Sequence, residues 1–308
     1  MRDPIIIGAR GSKLSLWQAN LVAAKLEKIT SARVEVKKIK TTGDKILDSP
    51  LAKIGDKGLF VKEIEVALSV SELDLAVHSA KDLPTETPSD LTIAAILKRD
   101  DHRDALISRE KLPLNDLPQN ATIGTSSLRR KAQLLNFRQD FKFADLRGNV
   151  ETRIRKMNEG QFDAIILSAA GLDRLGLSEI ITERISTDIC LSAVGQGTIA
   201  VEARKDDSEM FELLKHLDHE PTRVAVLAER SLLRRLEGGC QVPIGAHGEI
   251  EGGELELEAI VASLDGKDLI RGTIFGDPSD PEATGLALAQ KLLDKGAGAI
   301  LAEIRSMA

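Results

Sequence analysis

Residues 5–29 read IIIGARGSKLSLWQANLVAAKLEKI. Ile5 to Ile7 form a short buried strand, Gly8 to Ser12 a turn, and Leu14 to Ile29 carry apolar residues at helical spacing, which makes a strand, turn, helix unit. Outward from it the alternation continues. Ala32 to Lys40 and Leu73 to Val77 read as strands, with a helix from Gly58 to Ser71 between them. Such an order predicts a domain layered around a largely parallel sheet. After the charged break Lys98 to Arg103 a second set begins, with strands at Ala121 to Gly124, Lys142 to Leu146 and Asp163 to Leu167, and a helix from Ser126 onward. Beyond the Gly195-Gln196-Gly197 turn, Thr198 to Ala203 read as a strand able to return to the first sheet. A helix from Pro221 to Leu236, a Gly-Gly-Cys loop and a half-exposed strand carrying Leu255, Leu257, Ala259 and Val261 follow. The expected fold class is α/β: domain 1 from 1–98 and 198–216, domain 2 from 99–197, and a smaller α+β domain 3 over 217–308. A ligand is expected in a cleft where strand ends and helix starts of the two α/β lobes converge.

Among the 308 residues, 42% are apolar and 29% charged, and no apolar run approaches the roughly 18 residues of a membrane helix. Met1 to Arg10 lack the pattern of an export signal, so a cytoplasmic protein is expected. Cys190 and Cys240 form neither a zinc pattern nor a redox pair. The net charge of −6 argues against general nucleic-acid binding, yet the charge is uneven. Residues 121–156 hold nine Lys or Arg against three acids, whereas residues 249–280 hold nine acids against Lys267 and Arg271. A local anionic ligand explains a basic stretch inside an acidic molecule.

Arginines beside helix starts are the first constellation, because anions need fixed planar donors and free backbone N–H groups. In Gly124-Thr125-Ser126-Ser127-Leu128-Arg129-Arg130 a strand ends in hydroxyl residues able to cap a helix that carries the arginines in its first turns. Leu146-Arg147-Gly148-Asn149-Val150 with Arg153 repeats the arrangement, and Ala9-Arg10-Gly11-Ser12 offers a third version. Any one of these arginines reads equally well as a solvated helix residue paired with a nearby acid. Three such segments at strand ends favour several carboxylates or phosphates held at once. In Val77-His78-Ser79-Ala80-Lys81-Asp82-Leu83-Pro84 a buried strand runs into polar residues before a proline stops it, a usual address for catalytic groups, although Lys81 and Asp82 also read as a plain ion pair. The segment Leu236 to Gly245 surrounds Cys240 with glycines and a proline, so its thiol reads as a nucleophile or attachment point, or else as a small residue filling a turn. Cys190 reads as a small core residue, and His216 and His219 as a solvated helix end, so no metal ligand set emerges.

In this order and at these separations, HSAKDLP (78–84), GTSSLRR (124–130), LRGNVETR (146–153), AVGQGT (193–198) and LEGGCQVPIG (236–245) closely resemble the porphobilinogen deaminase family. ARGSKLSLWQA (9–19) and LAKIGDKGLFVKEIE (51–65) extend the resemblance over almost the whole chain. It implies two α/β domains like those of periplasmic anion-binding proteins, and a third domain presenting Cys240 as the thioether anchor of a dipyrromethane cofactor. The implied reaction joins four porphobilinogen molecules head to tail, each losing ammonia, before hydrolysis releases hydroxymethylbilane. Asp82 matches the catalytic carboxylate, suited to stabilising cationic pyrrole species. The resemblance further implies cofactor contacts from Lys81, Asp82, Thr125, Ser127, Arg129, Arg130, Arg147 and Gly148. Substrate contacts are implied for Arg10, Ser12, Ser79, Ser126, Arg147, Asn149, Arg153, Arg174 and Gln196, and a lid for Lys53, Lys57 and Phe60. A monomer is implied, with no metal, nucleic acid or membrane as partner.

Ala80 stands where many relatives carry methionine, Glu151 where smaller or uncharged residues are common, and the chain has no tyrosine. None of these departures removes a polar group the chemistry requires. The competing reading is a non-enzymatic two-lobed anion-binding protein. The missing export signal and the appended Gly-Gly-Cys segment favour the enzyme. A nucleic-acid binder is disfavoured by net acidity and by only seven Phe and one Trp for base stacking.

Overall fold

The computed structural model describes residues 2–45, 58–236 and 242–307. The chain divides into two compact units, the first made of Met1–Asp48, Asp56–Asp100 and Gly197–Arg223, the second holding Asp101–Gln196 and Val224–Ala308.

In the first unit the five-stranded sheet runs Val34–Ile39, Ile5–Arg10, Leu75–Ser79, Ile199–Arg204, Leu91–Ile96. The first three strands are mutually parallel, and Ile199–Arg204 is antiparallel to both its neighbours. Central strands covered on both faces need apolar residues nearly throughout, which Ile5–Arg10 and Leu75–Ser79 supply. Helix Lys13–Leu26, capped by Ser12, buries Ala19, Val22 and Leu26 against Ile5, Ile7, Leu75 and Val201 on one face. Helix Lys62–Ser69 buries Ile64 and Leu68 against Leu73, Ala76 and Leu91 on the other. Each such large side chain contributes roughly 2 kcal/mol relative to exposure.

The second unit repeats the pattern in its own sheet, ordered Lys142–Ala144, Thr122–Gly124, Ala164–Ser168, Asp104–Ser108, Glu183–Arg184. Again three strands are parallel, and the fourth, Asp104–Ser108, is antiparallel to both neighbours. The same unit contains an antiparallel three-stranded sheet, Ile244–Glu251, Glu254–Ala262 and Leu269–Gly276. Leu255, Leu257 and Ala259 on it pack with Leu232 and Leu236 and with Leu288 and Leu292 of helix Pro281–Leu292. A cluster of Ala132, Leu191, Ile260 and Ala262 joins the two sheets' layers. Arg271 adds hydrogen bonds from Nη2 to the Thr187 carbonyl (3.0 Å) and from Nη1 to that of Asp188 (2.9 Å).

Two expectations change. The α/β sheets are mixed rather than largely parallel, because each inserts one antiparallel strand at its fourth position. Strands Leu91–Ile96, Asp104–Ser108, Ile244–Glu251 and Leu269–Gly276 were not expected from the sequence. Asp104–Ser108 follows directly on the charged run 98–103, which masked its apolar core Ala105, Leu106 and Ile107. Among the described residues no helix is long and apolar enough to cross a membrane.

Candidate active site

In the first unit, strand Leu75–Ser79 ends in a short 3-10 turn, Ala80–Asp82. The turn is fixed by Ala80 N–H donating to the Thr198 carbonyl (3.0 Å), with Ala80 itself buried. Ser79 Oγ accepts from Gln18 Nε2 (2.9 Å), which ties the strand end to helix Lys13–Leu26. This places Asp82 on the surface, where its carboxylate makes no hydrogen bond or ion pair among the described residues, while Lys81 is half-buried beside it. Arg10 ends its own strand, donates to Asp44 Oδ1 through Nε (3.2 Å) and Nη2 (2.5 Å), and lies 4.2 Å over the Phe60 ring. Ser12 Oγ accepts from Ser15 N–H (3.2 Å) as the helix cap.

Behind the Asp82 turn is a cluster that the sequence reading passed over. His78 Nε2 lies 2.9 Å from Glu202 Oε2, and Glu65 of helix Lys62–Ser69 is buried near both. Burial, then the negative charge of Glu202, pushes the Glu65 carboxyl up to about 7 against the pull of His78.

In the second unit the hydroxyls after strand Thr122–Gly124 are occupied locally. Thr125 Oγ1 accepts from Ser127 N–H (3.2 Å), Ser126 Oγ accepts from Leu146 N–H (3.1 Å), and Ser127 Oγ caps helix Leu128–Phe137 by accepting from Arg130 N–H (3.4 Å). They build the loop that carries the arginines. Arg129 and Arg130 are buried, and both meet Asp104, a partner distant in sequence and fully buried. Burial alone raises the Asp104 carboxyl, but the charges and hydrogen bonds of Arg129 and Arg130 outweigh it and hold the group well below the usual carboxylate range. Gln196 Nε2 donates to the same carboxylate (2.9 Å) and to the His102 carbonyl (2.7 Å). Cys190 lies against this centre in the core, its thiol pushed up to about 12 by burial and by the Asp104 charge.

One strand along, Gly148 adopts φ +115° with Thr152 so close that a Cβ would sit 2.7 Å from it, which requires glycine here. Asn149 Oδ1 caps helix Val150–Asn158 by accepting from Thr152 N–H (2.9 Å), and Arg153 Nε donates to the Gly148 carbonyl (2.8 Å). Arg147 is half-buried and Arg174 buried at the end of helix Ala169–Arg174. Cys240, Lys53 and Lys57 lie outside the described residues.

A family model described as "Porphobilinogen deaminase, dipyromethane cofactor binding domain" matches residues 5–212, and its companion "Porphobilinogen deaminase, C-terminal domain" matches residues 224–294. This chain belongs to the porphobilinogen deaminase family. It is 54% identical to the porphobilinogen deaminase of Desulforudis audaxviator, over 99% of each chain, and 52% identical to that of Pelotomaculum thermopropionicum, over 99% of this chain and 98% of the relative. Among solved structures it is similar to the periplasmic aliphatic sulphonate binding protein SsuA from Escherichia coli, at 13% identity, covering 77% of this chain and 71% of that one, with a TM-score of 0.42.

For a deaminase, the chief residues missed in sequence were Asp104, Glu65 and Glu202. Asp104 closes the run Arg99-Asp100-Asp101-His102-Arg103-Asp104, which reads as surface charge, and the apolar triplet after it was the available signal. The donor set fits a carboxylate-rich group such as dipyrromethane. Arg129 Nε and Nη2 make no hydrogen bond among the described residues, and the capped helix start beside them contributes the right dipole.

Proposed function

We propose that this chain is a hydroxymethylbilane synthase: a cytoplasmic, monomeric transferase that joins four porphobilinogen molecules head to tail, releasing ammonia each time, and then frees the linear tetrapyrrole by hydrolysis. Membership of the porphobilinogen deaminase family over nearly the full chain is the observation that carries this proposal. Dipyrromethane, bound by a thioether to Cys240, supplies the primer on which the chain is extended.

Asp82 is the catalytic carboxylate. Its exposed position on a turn pinned at Ala80 lets it sit beside a substrate pyrrole without giving up an existing partner. Loss of ammonia leaves that pyrrole cationic, and a fixed carboxylate offsets the charge and accepts pyrrole N–H bonds. Lys81 in the first unit, and Thr125, Ser127, Arg129, Arg130, Arg147 and Gly148 in the second, would hold the cofactor. Arg10, Ser12, Ser79, Ser126, Asn149, Arg153, Arg174 and Gln196 would serve the substrate carboxylates and the supporting loops, with Lys53, Lys57 and Phe60 forming a lid. Each pyrrole carries two carboxylates, which accounts for the number of arginines. Three domains, 1–98 with 198–216, 99–197 and 217–308, would divide this work. Neither nucleic acid nor membrane has a role in it.

The test is the intact mass of the purified chain with peptide mapping around Cys240. The expected result is a mass excess of two linked pyrroles on Cys240, absent from Cys240→Ser. An unmodified Cys240 that stays unmodified in porphobilinogen would favour the non-enzymatic anion-binding protein instead.

A further inference from the structure

We infer that His78 and Glu202 are positioning residues for Asp82, a buried cross-strand pair that fixes the turn Ala80–Asp82; this role rests on the catalytic part proposed for Asp82 above. Strand Leu75–Ser79 leads directly into that turn, and strand Ile199–Arg204 runs beside it, with Ala200 opposite His78 and Glu202 opposite Ala76. Side chains alternate along a strand, so these four share one face of the sheet, and His78 and Glu202 are diagonal neighbours on it. His78 Nε2 lies 2.9 Å from Glu202 Oε2, and the two side chains are 3% and 0% exposed. Against Leu91–Ile96 the ladder skips Ala94 between the pairs Val201–Ala95 and Glu202–Ile93, an irregularity of the kind that re-aims a side chain. The pair thus ties two strands together just before the point where Ala80 N–H donates to the Thr198 carbonyl (3.0 Å).

Helix Lys62–Ser69 closes the same face and adds Glu65 to the cluster. Its cap residue Val61 packs with Ala200, Ala80 and Leu83, the apolar layer under the turn. The elements that hold the turn are therefore the ones that contribute the buried ionisable groups. As a source of stability those groups are a poor choice. Neither Glu202 oxygen, nor His78 Nε2, nor Glu65 Oε1 makes an aligned hydrogen bond among the described residues. A buried ion pair satisfied so incompletely is often no more stable than apolar side chains of similar volume. What it does supply is a directional tie between two strand ends, which apolar contacts do not give. A shift of about 1 Å in a reacting group is enough to cost up to about 100-fold in rate.

The test is made in the full chain. The double variant His78→Leu with Glu202→Met replaces the pair by an apolar one. It should melt close to the native midpoint, yet kcat is expected to fall about tenfold with KM for porphobilinogen within about twofold of native. In an Asp82→Asn background the same double change should lower kcat by less than about twofold, because the effect runs through Asp82. Glu202→Gln keeps an acceptor for His78 Nε2–H and should hold kcat within about threefold of native. Hydrogen exchange of the amides from Ala80 to Leu83, followed by mass spectrometry, reads the turn without turnover. It should quicken about tenfold in the double variant and much less in Glu202→Gln. Native kcat in the folded double variant, an equal loss in the Asp82→Asn background, or unchanged exchange at the turn would each overturn the inference. Should the apolar pair fail to fold, Glu202→Asp, which draws the charge back by one methylene, decides instead: slower turnover with faster exchange supports the inference, and native values of both overturn it. A native chain that consumes no porphobilinogen removes the proposed function and this inference with it, whereas an active native chain with any contrary result removes only the inference.

Discussion

The two units bury charge of opposite sign near the loops that carry their candidate site residues. In the first, Glu65, Glu202 and His78 lie beneath the turn that carries Asp82, two carboxylates against one imidazole. In the second, Arg129 and Arg130 surround Asp104, two guanidiniums against one carboxylate. An arginine cannot discard its charge, so the surplus in the second unit persists at every working pH and calls for an anion. A carboxyl can take up a proton, so the surplus in the first unit is adjustable. The pH dependences accordingly run in opposite directions. Asp104 is held below its ordinary 3.8, so its stabilising contribution is complete above that value and lost as pH falls toward the folded value. Glu65 is raised from 4.5 to about 7, so the folded state retains a proton that the unfolded chain releases, and stability from this group declines as pH rises between those values.

The contrast is broken most severely by Asp104→Ala, which leaves two buried guanidiniums without their carboxylate and should cost about 3–5 kcal/mol by denaturant titration. Asp82→Asn acts on an exposed group, so it should lower turnover about 100-fold or more while the melting midpoint stays put. Arg147→Leu should stall assembly, seen as a changed distribution of enzyme-bound pyrrole adducts by mass spectrometry, with turnover down about tenfold. Glu65→Gln sharpens the comparison: at pH 8 it should stabilise the protein by about 1 kcal/mol and flatten the decline of melting midpoint with pH, leaving stability near pH 5 unchanged. A variant with the native pH slope would show that Glu65 does not hold the proton.

The alternating α/β order and the loops after each strand were legible because they depend on local signals: apolar periodicity, capping hydroxyls and glycine turns. Ser12, Ser127 and Asn149 cap the helices that their positions predict. The partners of the arginines were not legible. Asp104 meets Arg129 and Arg130 across 25 and 26 residues, and Glu202 meets His78 only because Ile199–Arg204 is inserted beside Leu75–Ser79. The apolar triplet Ala105 to Ile107 is the one local sign that sets Asp104 apart from the surface charges before it, and it does not tell which groups the carboxylate meets. The same applies to the antiparallel strands, whose direction is set by where the chain re-enters the sheet rather than by their composition.

The strand Ile199–Arg204 sits between Leu75–Ser79 and Leu91–Ile96, with residues 101–196 belonging to the other unit. On the ribosome, therefore, the first sheet has a gap at its fourth position for the whole time that the next hundred or so residues are made. Until then Leu75–Ser79 and Leu91–Ile96 have unpaired edges, Glu202 has not arrived beside His78, and Ala80 lacks the Thr198 carbonyl that fixes the Asp82 turn. Asp82 is encoded early in the message but takes its place late in synthesis, so a chain cut short before residue 198 has every residue of the Asp82 motif and lacks the Thr198 carbonyl that pins its turn.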